Sequence, residues 1–292
     1  MRMKQCCVWM LAMVLLLMIL NLPVTVYAAT EQQSGEYVYT ERNDGTVEIT
    51  EYKGHTTANL KIPSTLDGKK VTAIGETVFM RRDELKTVTV PDGVQTIGSF
   101  AFAYCYNLKS VSLPNGLKDI ARGAFNNCNM LTEPQIPETV IHVGSDAFTE
   151  SGYDVAANYK NNTLYLNGWM IGASDKLTNV DSFQVAEGTV GLADDAFPST
   201  NLTTLQLPAS LCYIGEGAFI NCSELKTVQL AANNTALAVQ DNVLYNADKT
   251  CLYLYPRGKK ESVYTAPSTL TTVAPYAFYC NDMIQSVSLP NS

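Results

Sequence analysis

The sequence predicts a repeat solenoid of the α/β type: a right-handed coil with a parallel β-sheet on its concave face, mostly strand and loop with short helical turns. Three observations predict it. One pattern recurs along most of the chain with a period of 23 residues, each copy contains a short alternating apolar and polar segment, and Pro follows that segment in most copies. A unit of this size cannot bury its own apolar edge, so neighbouring units must stack. We expect roughly ten stacked coils.

Residues 1–28 are predicted to be a secretory signal peptide. A basic start precedes an apolar run over residues 6–20, and small residues lead to a cleavage point after Ala28. The run is shorter than the roughly 20 residues that a spanning helix needs, which favours export over the alternative of an uncleaved membrane anchor. Cleavage removes two basic residues and no acid, which leaves 18 basic against 28 acidic side chains. We therefore expect a secreted or cell-surface product with no membrane insertion after cleavage.

An N-terminal β-hairpin cap is predicted for residues 29–60. Residues 37–52 alternate apolar and polar side chains on both sides of Asn43-Asp44-Gly45. Asn, Asp and Gly readily adopt the left-handed conformations that tight hairpin turns need. Such a hairpin would cover the open edge of the first coil.

The repeat itself is clearest in two aligned copies, LKTVTVPDGVQTIGSFAFAYC from Leu85 and LKSVSLPNGLKDIARGAFNNC from Leu108. The segment L-x-x-V-x-L alternates inward apolar and outward polar residues, as a short strand with one buried face does. The following Pro cannot donate a ladder hydrogen bond and ends the strand. A second apolar pair, Val94 and Ile97, returns to the core, and Ala101-Phe102 is predicted to lie on a short helical or 3₁₀ turn. The Phe recurs every 23 residues, at Phe79, Phe102, Phe125 and Phe148.

This pattern, L-x-x-V-x-L-P-x-x-V/L-x-x-I-G-x-x-A-F-x-x-C, resembles the BspA-like leucine-rich repeats of secreted and surface proteins of bacteria and some protists. The resemblance covers nearly all of residues 37–290. It differs from the better-known leucine-rich repeat in one respect: Pro stands where Asn usually follows the strand, so no asparagine ladder is expected. The resemblance implies a leucine-rich-repeat solenoid used for binding and adhesion outside the cell, and it implies no reaction.

Two interruptions and the end of the chain depart from the repeat. The solenoid is predicted over residues 61–292, with hairpin inserts near residues 153–175 and 233–258, where the spacing between repeat Phe residues grows to 49 and 59. Each insert is rich in Tyr and has a central turn. The last segment, VSLPNS, matches VSLPNG at 111–116, so the final repeat is expected to be truncated just after its strand. We expect further repeats or domains beyond Ser292, or a second chain that covers the open edge.

Two surfaces are candidates for ligand binding. The outward strand positions form a nearly uncharged hydroxyl and amide surface, and its candidate residues are Thr87, Ser110, Thr204 and Thr227. The same two columns continue at Glu133 and Gln135. A solvated β-surface is the alternative, since binding hot spots are usually aromatic or Arg. The inserts do supply aromatic rings, and their candidate residues are Tyr165, Trp169, Tyr245, Tyr253 and Tyr255. Packing of these rings against the solenoid is the alternative there.

Composition argues against several classes of function. The net charge is −8 and only 16% of residues are charged, so the sequence lacks the clustered basic side chains that nucleic acids and anionic membranes require. The sequence has two histidines, His55 and His142, which argues against histidine-based catalysis and a histidine-rich metal site. We expect His142 to occupy an exposed outward position. The acids of the I-G-x-x-A-F segment, including Asp194 and Asp195, are expected to favour the start of a helical turn rather than to form a catalytic pair. We therefore predict no enzyme activity, no cofactor and no metal site.

Six cysteines remain once the signal peptide is removed. Four of them follow a repeat Phe by two or three residues and are predicted to pack on one interior edge as small apolar side chains: Cys105, Cys128, Cys222 and Cys280. Export would permit a disulfide between Cys105 and Cys128 on adjacent coils, but packing is the favoured interpretation. Cys212 and Cys251 lie outside that register with no obvious partner, and no C-x-x-C pair indicates zinc.

The predicted function is that of a non-enzymatic extracellular binding or adhesion module that contacts macromolecules of a host or of neighbouring cells. The expected partner is an extracellular protein or glycoprotein, with a glycan as a further option, and not nucleic acid. Two alternatives stay open. One is a structural spacer or scaffold of a larger surface protein, and the other is glycan binding by the aromatic inserts.

Overall fold

The computed structural model describes residues 30–55 and 57–290. These residues form a mostly-β solenoid of about 10 coils, which confirms the predicted repeat solenoid. The helices within them are two 3₁₀ turns of 3 residues each, Ala156–Asn158 and Asp175–Leu177, so the fold is mostly β rather than α/β. The signal peptide predicted for residues 1–28 lies outside the described residues.

The strands fall into three blocks, each of which begins with antiparallel strands. The first block contains β1 (Gln32–Ser34), β2 (Tyr37–Glu41), β3 (Val47–Tyr52), β4 (Asn59–Lys61), β5 (Thr65–Leu66), β6 (Lys69–Ile74), β7 (Thr87–Thr89), β8 (Thr96–Ile97), β9 (Ser110–Ser112), β10 (Asp119–Ile120) and β11 (His142–Val143). The second contains β12 (Tyr159–Lys160), β13 (Thr163–Leu166), β14 (Trp169–Ala173), β15 (Ser182–Gln184), β16 (Gly191–Leu192), β17 (Thr204–Leu207), β18 (Tyr213–Ile214) and β19 (Thr227–Leu230). The third contains β20 (Leu237–Gln240), β21 (Val243–Asn246), β22 (Cys251–Leu254), β23 (Val263–Thr265), β24 (Thr272–Val273) and β25 (Ser286–Ser288).

Most regular coils contribute one strand to each of two series of parallel sheets. The strands in the L-x-x-V-x-L segments form the first sheet series: β4–β7–β9, β15–β17–β19 and β23–β25. The strands that lead into the I-G-x-x-A-F segments form the second sheet series: β3–β6–β8–β10–β11, β14–β16–β18 and β22–β24. The register advances by whole repeats, so that Thr87 pairs with Ser110 and Ile97 pairs with Ile120. Equivalent repeat positions therefore stack in columns along the solenoid.

Three hairpins start the three runs of the second sheet series. The last strand of each hairpin pairs antiparallel with the strand before it and parallel with a strand of the next coil. This holds for β3 with β2 and β6, for β14 with β13 and β16, and for β22 with β21 and β24. The last strand of each hairpin is thus an edge with which the next coil pairs in parallel. The second and third hairpins, which lie inside the solenoid, each take the place of a regular coil.

A ladder of aromatic rings runs through the interior of the first block. Phe102 lies between Phe79 and Phe125, with ring centroids 5.1 and 5.4 Å away and interplanar angles of 8° and 2°. Phe148 continues the ladder at 5.4 Å from Phe125. These four rings are at most 2% exposed, and burying a side chain of this size contributes about 1.5–3 kcal/mol. Shorter ladders resume after the internal hairpins: Phe197–Phe219 and Tyr255–Phe278.

The I-G-x-x-A-F segment is a pair of tight turns and not the predicted helical turn. Around Ala101-Phe102, the flanking residues Phe100 and Tyr104 have φ angles of +55° and +61°, in the left-handed region. A left-handed residue cannot continue a right-handed helix, so two of them so close together exclude a helical turn. The first position is also left-handed at Thr77, Gly123, Asp146, Asp195, Gly217 and Tyr276, and the second at Arg81, Asn127, Glu150 and Cys280. Because most of these residues are not Gly, the sequence does not reveal the turn.

The repeat that begins at Leu131 lacks its predicted strand. Pro134 stands at the position where β7 and β9 have Val. Because Pro has no N–H to donate, residues 131–136 do not extend the first sheet series beyond β9. Glu133 and Gln135, which the sequence places in the strand columns, are exposed side chains of an irregular segment instead.

Candidate functional site

The first sheet series presents a face of mainly hydroxyl and amide side chains, with the charged Lys61 of β4 in register with Thr89. Thr87 of β7 lies beside Ser110 of β9, and Thr204 of β17 lies beside Thr227 of β19. These side chains point outward, since the alternate position faces the core, as at Val88, which is 2% exposed. The amide column is in register too: Gln184, Gln206 and Gln229. The four predicted residues thus lie on the same kind of surface, in two separate sheets.

Three of the five aromatic residues predicted in the inserts lie in the interior. Trp169, Tyr245 and Tyr255 are 2%, 2% and 3% exposed. The Trp169 ring stacks on Tyr213 at a centroid distance of 5.9 Å, and the hydroxyl oxygens of Tyr245 and Tyr264 are 2.8 Å apart. These three residues therefore have the packing role that the sequence leaves open as the alternative to ligand binding.

Tyr255 occupies one rung of the ring ladder. Its N–H donates to the carbonyl of Ala277 at 2.8 Å, as the N–H of Phe102 donates to the carbonyl of Ala124 at 2.9 Å. Its ring stacks on Phe278 at 5.3 Å. The third hairpin therefore supplies the backbone and the ring of a coil, although its sequence has no A-F pair.

The third hairpin also leaves a cleft of about 290 Å³, which we call the tyrosine cleft. One wall is the turn of residues 214–220, the other is the turn of residues 274–279, and residues 253–257 of the hairpin lie between them. The cleft exists because this hairpin contributes a rung to the ladder but no turn of its own. The lining side chains that carry polar groups or exposed rings include His142, Glu216, Tyr253, Arg257, Tyr276 and Tyr279.

Of the five aromatic candidates in the inserts, Tyr165 and Tyr253 are half-buried. The Tyr165 hydroxyl accepts the N–H of Ala186 at 3.2 Å, at the surface of the second hairpin. Tyr253 lines the tyrosine cleft, and burial raises the pKa of its hydroxyl. The structure thus brings Tyr253, and not the buried candidates, next to exposed aromatic rings of another coil.

A charged bridge that the sequence does not reveal joins the first two blocks. His142 Nδ1 lies 2.7 Å from Asp119 Oδ1, and His142 Nε2 lies 3.0 Å from Asp194 Oδ2. Asp194 also accepts the N–H of Glu216 at 2.6 Å. Its own N–H donates to the carbonyl of Val143 at 3.0 Å, so the coil after the hairpin lies directly against β11. His142 is therefore half-buried and bonded on both sides, and not merely exposed as predicted.

Replacing His142 with Gln is expected to lower stability near neutral pH and to have little effect at high pH. Hydrogen bonds to Asp119 and Asp194 raise the pKa of His142 from 6.5 to about 10. A raised pKa in the folded state stabilises the fold fully below the unfolded value, and this contribution is lost as the pH rises through the folded value. Because the side chain is 37% exposed and therefore screened, we expect only about 1 kcal/mol in the free energy of unfolding.

Urea unfolding of both proteins below the unfolded pKa of His142 and above its folded pKa measures this difference. His55→Gln is the matched control, since His55 is exposed and its replacement should leave stability unchanged at either pH. A stability difference between the parent and His142→Gln that stays constant over the whole range would contradict the role of the imidazolium charge.

The six cysteines within residues 30–55 and 57–290 are unpaired thiols. The Sγ atoms of Cys105 and Cys128 donate to the carbonyls of Phe79 and Phe102, at 3.2 Å in each case. Burial raises the pKa of Cys105 to about 11, so the reactive thiolate is scarce at neutral pH. Cys280 is exposed, contrary to the prediction, because it stands two rather than three residues after its Phe and takes a left-handed turn position.

The part of the chain that the structure describes contains neither a membrane-spanning helix nor a metal-binding cluster of side chains. Its two helices have 3 residues each and cannot cross a bilayer. In that same part, no group of three or more His, Cys, Asp or Glu side chains is arranged to hold a metal ion. At His142 both ring nitrogens already face carboxylates, so this cluster is an ionic bridge between coils.

The coil pattern matches a known family of repeats. The family model described as the BspA type leucine rich repeat region matches the chain in 6 copies, over residues 48–174 and 172–255. These two ranges cover more than half of the chain. No curated protein matches the chain.

Several solved structures of bacterial leucine-rich repeat proteins are similar to the chain. One from Eubacterium ventriosum ATCC 27560 is 20% identical and matches 88% of this chain, which spans 58% of that protein, with a TM-score of 0.38. A leucine rich cell surface protein from Faecalibacterium prausnitzii A2-165 is 23% identical over 89% of this chain and 76% of its own, with a TM-score of 0.39. One from Bacteroides capillosus ATCC 29799 is 34% identical over 43% of this chain and 95% of its own, with a TM-score of 0.39. With its family match and its stacked coils, the chain belongs to the BspA-type leucine-rich repeat family.

Proposed function

We propose that the chain is a non-enzymatic extracellular binding module that contacts proteins or glycoproteins of a host or of neighbouring cells. The observation that carries the proposal is the set of in-register Thr, Ser and Gln columns on the first sheet series. Apart from Lys61, these columns present similar uncharged hydrogen-bonding groups on consecutive coils, and solenoids use such extended surfaces for binding. A right-handed coil with the first sheet series on its concave side is part of the proposal.

The proposed location is secreted or at the cell surface. Residues 1–28 support it, because they combine a basic start, an apolar run and small residues before Ala28. The proposed mode of binding follows from the face itself. It offers many hydroxyl and amide groups and few aromatic or Arg anchors, so affinity comes from numerous hydrogen bonds rather than from a central hot spot.

A positive charge on the first sheet series is expected to weaken binding to immobilised collagen or laminin by about tenfold or more. Ser110→Arg introduces this charge on β9, at a position whose side chain is exposed. The guanidinium would lose its hydration at the contact without gaining a partner, which disfavours the complex. Solid-phase binding of the purified chain measures the effect.

Gln95→Arg is the matched control for this experiment. It makes the same change of charge at an exposed position next to the second sheet series. Equal loss of binding in the two variants would show that the first sheet series is not the contact surface. If the parent chain binds no matrix protein and no intact cells, the proposed function is wrong.

A structural spacer is the second candidate function. The ring ladder favours it, because stacked rings 5.1–5.4 Å apart give four consecutive coils a continuous interior. A spacer needs no ligand of its own and holds another domain away from the cell. Failure to bind any partner, together with a reading frame that continues past Ser292 into a domain with its own chemistry, would favour the spacer.

A further inference from the structure

The tyrosine cleft lies on the turns and the third hairpin, away from the first sheet series, and its chemistry differs from that of the strand face. The rings of Tyr276 and Tyr279 are 55% and 48% exposed, and their centroids are 6.0 Å apart. Tyr253 is half-buried between the two walls. The volume of about 290 Å³ is close to the lower end of the roughly 300–1,000 Å³ of small-ligand sites. The cleft therefore suits a small ligand or the end of a larger one.

Tyr276 stands at a position that disfavours a bulky residue. Its φ is +61°, and the equivalent turn residues of two other coils are Gly123 and Gly217. A side chain in this left-handed conformation is less favourable than glycine. At Phe100 the ring packs over Gly123 and 5.9 Å from the guanidinium carbon of Arg122, which offsets the cost. The Tyr276 ring instead lies beside Gly217 and Tyr279, where it lines the tyrosine cleft.

The opposite wall keeps the Tyr276 ring accessible. Gly217 has a φ of +62°, and a Cβ at this residue would lie 3.5 Å from Cδ2 of Tyr276 and 2.6 Å from Oδ1 of Asp195. Any longer side chain at Gly217 would therefore extend into the space in front of the ring. Because Gly217 has no side chain, the cleft stays open at this point.

The polar groups of the cleft include both a donor and an acceptor. Glu216 is exposed on one wall and offers carboxylate oxygens. Arg257 is 36% exposed, and its distance of 3.9 Å to Asp282 is too long for a hydrogen bond. His142 lines the same cleft but is engaged by its two carboxylate partners. Arg257 is ion-paired with Asp282 and Glu216 adds a further carboxylate, which disfavours an anionic ligand.

We propose that the tyrosine cleft binds a neutral glycan. The apolar C–H face of a pyranose ring stacks on the exposed tyrosine rings, while its hydroxyl groups donate to Glu216 and accept from Arg257. A sugar hydroxyl both donates and accepts, as this pair of side chains requires. A proline-rich peptide also docks on aromatic rings, but its prolines have no N–H to donate to the carboxylate. The inference rests on the proposed extracellular binding function and adds a ligand class and a site to it.

Calorimetric titration of the full chain with lactose, maltose and chitobiose tests the proposal. At least one of these neutral sugars is expected to bind, and Tyr276→Ala and Tyr279→Ala are each expected to weaken its binding by about tenfold or more. Tyr276→Gly is the decisive variant, because it removes the ring and also relieves the left-handed strain. It should lose sugar binding with its urea midpoint unchanged or raised.

Tyr106→Ala is the matched control. Tyr106 is 44% exposed and its ring packs edge to face against Tyr104 at 6.2 Å, much as Tyr279 packs against Tyr276 at 6.0 Å. It does not line the tyrosine cleft. Sugar binding by Tyr106→Ala should equal that of the parent, because Tyr106 is an exposed ring outside the cleft.

Three outcomes overturn the proposal: none of the sugars binds, the affinity is unchanged in Tyr276→Gly, or a polyproline peptide binds the cleft in place of a sugar. The proposed function can survive such a result. If Tyr276→Gly still binds immobilised collagen or laminin while Ser110→Arg does not, the strand face binds protein and only the glycan inference fails.

Discussion

Replacing Phe102 with Ala is expected to lower the free energy of unfolding by about 4 kcal/mol. Phe102 is fully buried and stacked between Phe79 and Phe125, so the Ala variant has a cavity bounded by two rings. Those rings belong to coils whose spacing is set by two parallel sheets, and they cannot move together to close it. In a solenoid each coil contacts mainly its neighbours, so the loss also weakens the coupling of the coils on either side. Urea denaturation followed by circular dichroism measures the change.

Two further variants provide reference values for the stability loss of Phe102→Ala. Phe102→Leu keeps most of the buried volume and is expected to cost about 1.5 kcal/mol or less. Tyr106→Ala removes a ring that is 44% exposed and should change stability by about 0.5 kcal/mol or less. If Phe102→Ala were no more destabilising than Tyr106→Ala, the ring ladder would not be a main source of stability.

Trp169→Ala is expected to cost about 3–5 kcal/mol, at the junction of the first and second blocks. The indole is 2% exposed and packs so closely on Gly191 that a Cβ there would lie 2.5 Å from Cζ3 of Trp169. It also stacks on Tyr213 with an interplanar angle of 6°. Trp169 begins β14, and the pairing of β14 with β16 starts the second run of the second sheet series. Loss of the indole should therefore weaken this pairing. Thermal and urea unfolding measured by circular dichroism report the effect.

The same variant separates the two interpretations of Trp169. A core role predicts that stability and any ligand binding are lost together, whereas a ligand contact predicts loss of binding with stability retained. Tyr213→Ala is the control, since Tyr213 covers the indole from outside and is 37% exposed. It should cost about 2 kcal/mol, because one aromatic pair and the burial of a partly exposed ring are lost. A stable Trp169→Ala protein would contradict the packing assignment.

The period of the repeat is enough to predict contacts between equivalent positions of neighbouring coils. Phe102 and Phe125 are one period apart, so their stacking follows from the spacing alone. The strand columns follow in the same way, except where Pro134 removes the N–H that pairing needs. The second sheet series is harder to foresee, because strands of 2 residues such as β8 and β10 are too short to show an alternating pattern.

The features that the sequence does not predict depend on contacts across the inserts. Asp119 and His142 are one period apart, which was a usable signal, but Asp194 is 52 residues further on and reaches His142 only because a hairpin replaces a coil. The walls of the tyrosine cleft are likewise separated in the chain by the third hairpin. The left-handed turn at Tyr276 is hidden for a different reason, since a bulky residue gives no indication of a positive φ.

The three hairpins have a consequence for how the chain acquires its structure. Forming a hairpin requires only local contacts and is among the fastest events in folding, whereas parallel pairing of coils must first close a loop of a whole repeat. β3, β14 and β22 each become a ready edge as soon as their hairpins form, and β6, β16 and β24 can then pair with them. Folding can therefore begin at three separate places and extend from each towards the C-terminus, so an error in one block need not halt the next.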